Sequence, residues 1–243
     1  MMYDYQDALA YSGVEEAHPG GHSLTKKILK NERINLGSTV LDAGCGTGLT
    51  SAYLARKLKC KVYAIDKHQQ MIKIATTRIK KDKLPVKIIN GNIEKLPFPD
   101  DCFDYVIAES STIFTDISKT LKEYHRVLKP SGVVIDIEMI SKESLQREDK
   151  TSLQQFYNIK KFPSEVEWGQ AFKKAGFKKI DILQVNSILQ ELEDYNGKLS
   201  ELNERKELQR TDPQIEEILF EHSRMMMNLA EKLGYSVFRA VKM

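Results

Sequence analysis

The chain has little cysteine. Three in 243 residues, at Cys45, Cys60 and Cys102, show no spacing that would bind a metal or build a disulfide framework, so reduced thiols in a cytoplasmic protein are expected. No cluster of His, Cys, Asp or Glu has ligand spacing either, so no metal is expected. No stretch reaches the ~18 apolar residues of a membrane span, and Met1 to Ala10 lacks the basic and apolar regions of a secretory signal. A large excess of one charge is also missing. With 37 basic and 34 acidic side chains the net charge is +3, too small to point to nucleic acid. What is present is a hydrophobic content of 41%, enough for the core of one α/β domain with an insertion.

The most informative stretch is Val40-Leu41-Asp42-Ala43-Gly44-Cys45-Gly46-Thr47-Gly48. It reads as an apolar strand ending in a carboxylate, then a turn with glycine at alternate positions. Such a turn lets the backbone bend sharply and approach a ligand with no Cβ in the way. Leu49 to Lys59 then reads as a helix, with Ala52, Leu54, Ala55 and Leu58 on an apolar stripe. Strand, glycine turn and helix open a nucleotide-binding unit. Asp42 refines the reading, because a carboxylate two residues before the first glycine would repel a pyrophosphate. It suits a cationic group, such as the ammonium of an aminoacyl tail.

A second strand, Lys61 to Asp66, also ends in an acid, 18 residues after Gly48. An acid there accepts hydrogen bonds from both hydroxyls of a ribose and selects an adenosine without a 2′-phosphate. Val86 to Ala108 follows as strand, polar turn, Pro-containing loop and strand. Arg126 to Asp136 reads as a helix end broken by Pro130 and Gly132, leading into a buried strand.

These four segments, in this order and spacing, resemble the class I S-adenosylmethionine-dependent methyltransferases, and within them the ubiquinone/menaquinone-biosynthesis-like group. The resemblance covers roughly residues 18 to 185. It implies a Rossmann-like, doubly wound, seven-stranded, mostly parallel sheet, with S-adenosylmethionine (SAM) as cofactor and S-adenosylhomocysteine as product. It also implies that Asp42, Gly44, Gly46 and Gly48 hold the methionine end, Asp66 the ribose, and Asn92 and Ile93 the adenine, with Met71 packed near that ring. Relatives commonly carry Asp where this chain has Asn92, whose amide oxygen can still accept the adenine amino proton. Cys45, Thr47, Lys67 and Gly91 complete the cofactor set, with Tyr11 and Thr25 from the region before the first strand.

On the acceptor side, Glu109 follows the fourth strand, at the end that faces the crevice in doubly wound folds. It has three readings: ligand for a substrate amine, base, or contact to the cofactor's aminoacyl group. His18-Pro19-Gly20-Gly21-His22 opens a helix in a manner that resembles a segment closing over cofactor and acceptor in some small-molecule methyltransferases. His18 or His22 then becomes a candidate general base. Tyr5 and Tyr11 either sit over the sulfonium or pack as ordinary helix residues. No Asn-Pro-Pro-Tyr-type tetrad follows the fourth strand, where amino-methylating nucleic-acid enzymes often carry one.

The chain divides into an N-terminal helical arm (1–38), a core (39–185), a helical insertion before the last strand (186–234) and that strand (235–243). The insertion carries 6 basic and 11 acidic residues, a net charge of −5, which leaves +8 for the remainder. Within it Pro213 starts a helix with Asp212 as N-cap. Ile215, Ile218, Leu219, His222, Met225, Met226, Leu229 and Leu233 form its apolar stripe. The stripe packs on the sheet domain, lines an adaptable pocket, or does both. The expected activity is methyl transfer to a small-molecule acceptor by a monomer or homodimer, with no nucleic-acid or membrane partner. An RNA or protein methyltransferase and a non-catalytic SAM-binding module are the alternatives.

Overall fold

The computed structural model describes residues 3–15, 17–190 and 212–243. In chain order the elements are α1 (Tyr5–Ser12), α2 (Gly21–Lys30), β1 (Thr39–Ala43), α3 (Leu49–Tyr53), β2 (Lys61–Asp66), α4 (Gln69–Lys81), β3 (Val86–Asn90) and β4 (Phe103–Glu109). Then come α5 (Ile117–Val127), β5 (Leu128–Ser141), α6 (Arg147–Tyr157), α7 (Glu165–Ala175), β6 (Lys179–Ser187), α8 (Pro213–Asn228) and β7 (Leu233–Val241). The seven strands form one sheet in the order β3-β2-β1-β4-β5-β7-β6. Strands β1 to β5 are mutually parallel, and β7 runs antiparallel between β5 and β6. The expected α/β architecture is therefore present.

The local reasons are readable in the residues. In β1 and β4 nearly every side chain is buried, as central parallel strands require when helices cover both faces. Helix α5 buries Thr120, Leu121, Tyr124 and Val127, an i, i+1, i+4, i+7 stripe, and Asp116 caps its start by accepting from the Lys119 N–H. Helix α7 begins with a Ser164/Glu167 capping box and ends at Gly176. Its Trp168 and Phe172 pack with Phe177 and Phe238 of β7. These large side chains are almost wholly excluded from water, each contributing roughly 2–3 kcal/mol of burial.

Three details differ from the sequence reading. The helix after the glycine turn continues past Tyr53 as one wider π turn, Leu54–Leu58. The Pro130-Gly132 segment does not separate helix from strand. Strand β5 starts at Leu128, and the irregularity is absorbed as a shift of its register against β4 between Phe103 and Tyr105. Helix α8 begins at Pro213, capped by Asp212, but Leu233 lies beyond it and opens β7, where it is fully buried. Residues 191–211 of the expected insertion lie outside the described residues.

Candidate active site

The chemistry-bearing residues gather at the carboxyl ends of β1, β2 and β4. The chain leaves β1 through Gly44, Gly46 and Gly48, all at positive φ, between +50° and +75°. Both Gly44 N and Cys45 N donate to the Ile65 carbonyl of β2, at 2.8 and 3.0 Å. A Cβ on Gly44 would stand 2.4 Å from the Ser111 Cβ, whereas one on Gly46 would meet nothing within 4 Å. Gly44 is thus demanded by packing, and Gly46 borders open space that a ligand can approach.

Asp66 ends β2 and steadies this turn. Its Oδ2 accepts from Gly46 N at 2.9 Å and its Oδ1 from His68 N at 2.8 Å. Each oxygen keeps a free lone-pair direction for a ligand hydroxyl. From the other side Arg78 of α4 donates to the Thr47 carbonyl at 3.0 Å and pairs with Glu15 at 2.9 Å.

Asp42 lies beneath the turn, 3% exposed. It accepts a hydrogen bond of 2.5 Å from Ser51 Oγ. Burial, with the charges of Glu109 and Asp66 added, pushes its carboxyl up to about 7 against the pull of Ser51. Three carboxylates, with no basic side chain among the described residues paired to Asp42 or Asp66, create a field that favours a cation.

Glu109 is gripped from two sides. Thr50 Oγ1 of the helix after the turn donates to its Oε2 at 2.7 Å, and Thr25 Oγ1 of the arm donates to its Oε1. His18 Nε2 lies 3.5 Å from the same oxygen and 3.4 Å from Thr25 Oγ1. The side chains of His18 and Glu109 are only 11% and 12% exposed. The structure brings His18 to Glu109 but turns His22 elsewhere, edge-on against Tyr53 at 5.5 Å between rings.

The remaining expected site residues fall around this centre. Cys45 and Thr47 are buried in the turn, and burial raises the Cys45 thiol. Lys67 is exposed, and Met71 is half-buried in the first turn of α4. Gly91 donates to the Asp66 carbonyl at 2.9 Å. Asn92 Oδ1 accepts from Glu94 N at 2.8 Å, so its amide oxygen already serves a local turn. Ile93 is buried behind it. Tyr5 and Tyr11 part company. Tyr11 is exposed and edges against His68 at 6.1 Å, while Tyr5 is buried among Phe114, Phe156, Tyr157 and His222. Within that aromatic group the Tyr157 hydroxyl and His222 Nδ1 share a hydrogen bond of 2.8 Å. Burial lowers His222 to about 4. The arm and α8 therefore meet over the turn that follows β4.

Sequence reasoning missed Ser51 and Thr50, and also the Asp7–His68 pair at 3.0 Å that fastens α1 beside Asp66. The position of His68, two residues past the ribose-type acid, was the available signal. A surface cleft of about 430 Å³ bordered by Arg33, Ser38, Asp104 and Gly132 lies at the opposite ends of β1, β4 and β5 and holds none of this chemistry. Among the described residues no group of three or more His, Cys, Asp or Glu side chains could hold a metal, and no helix is long and apolar enough to cross a membrane.

The sheet order is the one expected of a SAM-dependent methyltransferase, with a strand-end carboxylate under a glycine turn and a second acid at the end of the next strand. Comparison with known proteins agrees. Residues 41–136 match the family described as Methyltransferase domain. Over 241 residues the chain is 33% identical to the Bacillus subtilis (strain 168) methyltransferase YodH, spanning 99% of this chain and 100% of that one. Over 117 residues it is 37% identical to demethylmenaquinone methyltransferase of Geobacillus stearothermophilus, covering 46% of this chain and 50% of that one. Haemonchus contortus phosphoethanolamine N-methyltransferase 2, solved with phosphomonomethylethanolamine and S-adenosylhomocysteine, shares the fold. Its TM-score is 0.75 at 21% identity, with 98% of this chain and 57% of that one covered. The chain belongs to the SAM-dependent methyltransferases.

Proposed function

We propose that this methyltransferase acts on a small-molecule acceptor with an apolar or aromatic body, received between α1, α8 and the turn after β4. The observation that carries this reading is the Glu109 carboxylate held by Thr25 of the arm and Thr50 of the core. In this reading Glu109 meets the polar end of the acceptor, and the aromatic group that joins α1 to α8 receives its apolar body.

When bound, SAM supplies a methyl group on a sulfonium, already a strong electrophile. In this reading Asp66 takes the ribose hydroxyls, and the Gly44–Gly48 turn and the start of α3 present N–H groups to the carboxylate of the methionine end. Asp42 and Glu109 supply the negative field that a sulfonium and an ammonium need. Ile93 N–H and Asn92 meet the adenine edge, with Met71 beside it. Thr25 and Thr50 orient Glu109 rather than neutralise it, so it keeps lone pairs for a polar or cationic group on the acceptor. His18, 3.5 Å from Glu109, is the group this reading assigns to receive a proton from an acceptor nucleophile. Tyr5, Phe114 and Tyr157 exclude water, which strengthens the charge contacts inside. Holding the nucleophile in line with the methyl is worth several kcal/mol of barrier.

The test is methyl transfer from methyl-labelled SAM to the small-molecule fraction of a metabolite extract, with the labelled product identified by mass spectrometry. A labelled metabolite is expected, and Glu109→Gln should lower kcat/KM for it by at least about tenfold while S-adenosylhomocysteine affinity changes much less. Label found only in RNA or protein, or in nothing at all, overturns the reading.

A further inference from the structure

Strand β5 carries two acids where a central strand normally carries none. Asp136 and Glu138 are two apart, so they share one face, and both are wholly buried. The turn after β4 meets them. Thr112 Oγ1 donates to Asp136 Oδ2 at 2.9 Å, and Thr112 N donates to Glu138 Oε1 at 2.8 Å, with Ile113 N at 3.4 Å from that oxygen. Tyr124 of α5 backs Thr112, with its hydroxyl 3.3 Å from Thr112 Oγ1. The two oxygens left over, Asp136 Oδ1 and Glu138 Oε2, are buried with no partner among the described residues, on side chains that stand two residues apart on the same face of β5.

Two adjacent carboxylates buried without a cation would be very costly. One proton resolves both orphaned atoms at once. We propose that Asp136 and Glu138 hold a single proton between them, with Glu138 Oε2–H donating to Asp136 Oδ1, and that this pair positions the Glu109–Phe114 turn for methyl transfer. Burial raises both carboxyls, and Glu138 is raised further by the charge of Asp136, which puts the proton on Glu138.

The route from pair to site is short. Thr112 is clamped by the pair. Two residues earlier Ser110 sits at a positive φ of 49° and donates from its N–H to the Ile137 carbonyl at 2.7 Å. Ser111 Oγ donates to the Ala43 carbonyl at 2.7 Å, next to the glycine turn. Glu109 precedes this strained turn, and Phe114 at its far end stacks on Tyr5 at 6.2 Å. Asp136 and Glu138 are positioning residues, since they reach the crevice only through Thr112. The positioning half of the inference rests on the acceptor pocket proposed above; the shared proton does not.

The experiment therefore has arms that need no acceptor. Infrared difference spectra of the whole protein should show a protonated-carboxyl stretch, sensitive to deuterium, that is lost in Glu138→Gln. Hydrogen exchange of the peptide covering residues 109–116 should stay slow in Glu138→Gln, whose amide can replace the donor, and quicken at least about tenfold in Glu138→Leu. Methyl transfer to the same metabolite fraction should follow that pattern. Glu138→Gln should stay within about threefold of wild type, and Glu138→Leu should lose at least about tenfold while S-adenosylhomocysteine affinity holds within about threefold. Thr112→Val, which keeps the N–H and removes the hydroxyl, serves if Glu138→Leu does not fold, and should raise KM for the acceptor more than it lowers cofactor affinity. Absence of the carboxyl band overturns the shared proton. Equal damage from Gln and Leu, or equal loss of cofactor and acceptor binding, overturns the positioning role. If wild type methylates nothing in the metabolite fraction, the acceptor reading fails, while the infrared and exchange arms still decide the pair.

Discussion

Ser51 holds Asp42 at 2.5 Å, and among the described residues no basic side chain pairs with it. The carboxyl is thus left to be stabilised by whatever cation enters the crevice. With its proton affinity raised to about 7, the free protein carries Asp42 partly protonated at neutral pH. A bound cation favours the charged form and expels that proton.

Cofactor affinity should therefore climb as pH rises from about 5 to about 7 and level off above. Calorimetry of S-adenosylhomocysteine in buffers of different ionisation enthalpy should detect proton release below that plateau. Stability of the free protein runs the other way. The folded state holds this proton better than the unfolded chain, so stability falls as pH rises from the ordinary carboxylate range through 7. Asp42→Asn, which keeps an acceptor for Ser51, should be more stable than wild type at pH 8 by on the order of 1–4 kcal/mol, yet bind the cofactor at least about tenfold more weakly. Affinity independent of pH would remove Asp42 from the cofactor's surroundings.

Asp66→Ala should cost more than a ribose contact. It also releases Gly46 N and His68 N, each bond to a carboxylate being worth roughly 1.5–3 kcal/mol. S-Adenosylhomocysteine affinity should fall at least about tenfold by calorimetry, with the circular dichroism spectrum retained. An unchanged dissociation constant would place the ribose elsewhere.

Gly44→Ala should destabilise twice over, through its φ of +75° and through the 2.4 Å approach to Ser111 Cβ. A loss of roughly 1–3 kcal/mol is expected from thermal or urea unfolding. Adding Ser111→Gly should relieve the steric part but also give up the Ser111 Oγ bond to the Ala43 carbonyl, so recovery is incomplete. Gly46→Ala at φ +50° meets no neighbour, so it should cost less stability and, by filling the ligand's side, proportionately more cofactor affinity.

His222 gives a pH dependence of opposite sense to Asp42. Its folded value near 4 lies below the ordinary histidine range, so the unfolded chain binds the extra proton first. The contribution of His222 should be complete above about pH 6.5 and drain away as pH falls toward 4, by on the order of 2–3 kcal/mol. Because Asp42 works in the opposite sense over the same window, the measurement is the difference between urea melts of wild type and His222→Gln, which should widen in favour of the variant as pH falls.

The strand ends and their acids were legible because they are local facts. A buried strand stopping at Asp42 or Asp66 and a glycine turn at positive φ leave marks in consecutive residues. Helix α8 was legible for the same reason, through Asp212, Pro213 and a 3.6-residue stripe. The arm was less so. Tyr5 and Tyr11 lie six apart on adjoining turns, and only the packing of α1 against α8 decides that one is buried and the other faces His68. His18 and His22 are separated in the same way, since the turn at Gly20 sends them to different neighbours. Asp136 and Glu138 were invisible as a pair. The sequence shows acids alternating in an apolar strand, but the meaning comes from Thr112, brought by β4 from 24 and 26 residues away.

The place of β7 has a bearing on how the molecule is made. Among the described residues strand β6 joins the sheet only through β7, although β7 follows it by some 45 residues. On a ribosome, β1 to β5 and their helices can assemble in order of synthesis, while Lys179–Ser187 waits with an open edge until Leu233–Val241 emerges and slides between it and β5. Strand β7 is the wedge that closes an arch already standing on one side. Helix α8 is made in the same late interval, so the glycine turn and the acids at the ends of β1, β2 and β4 can form before α8 exists.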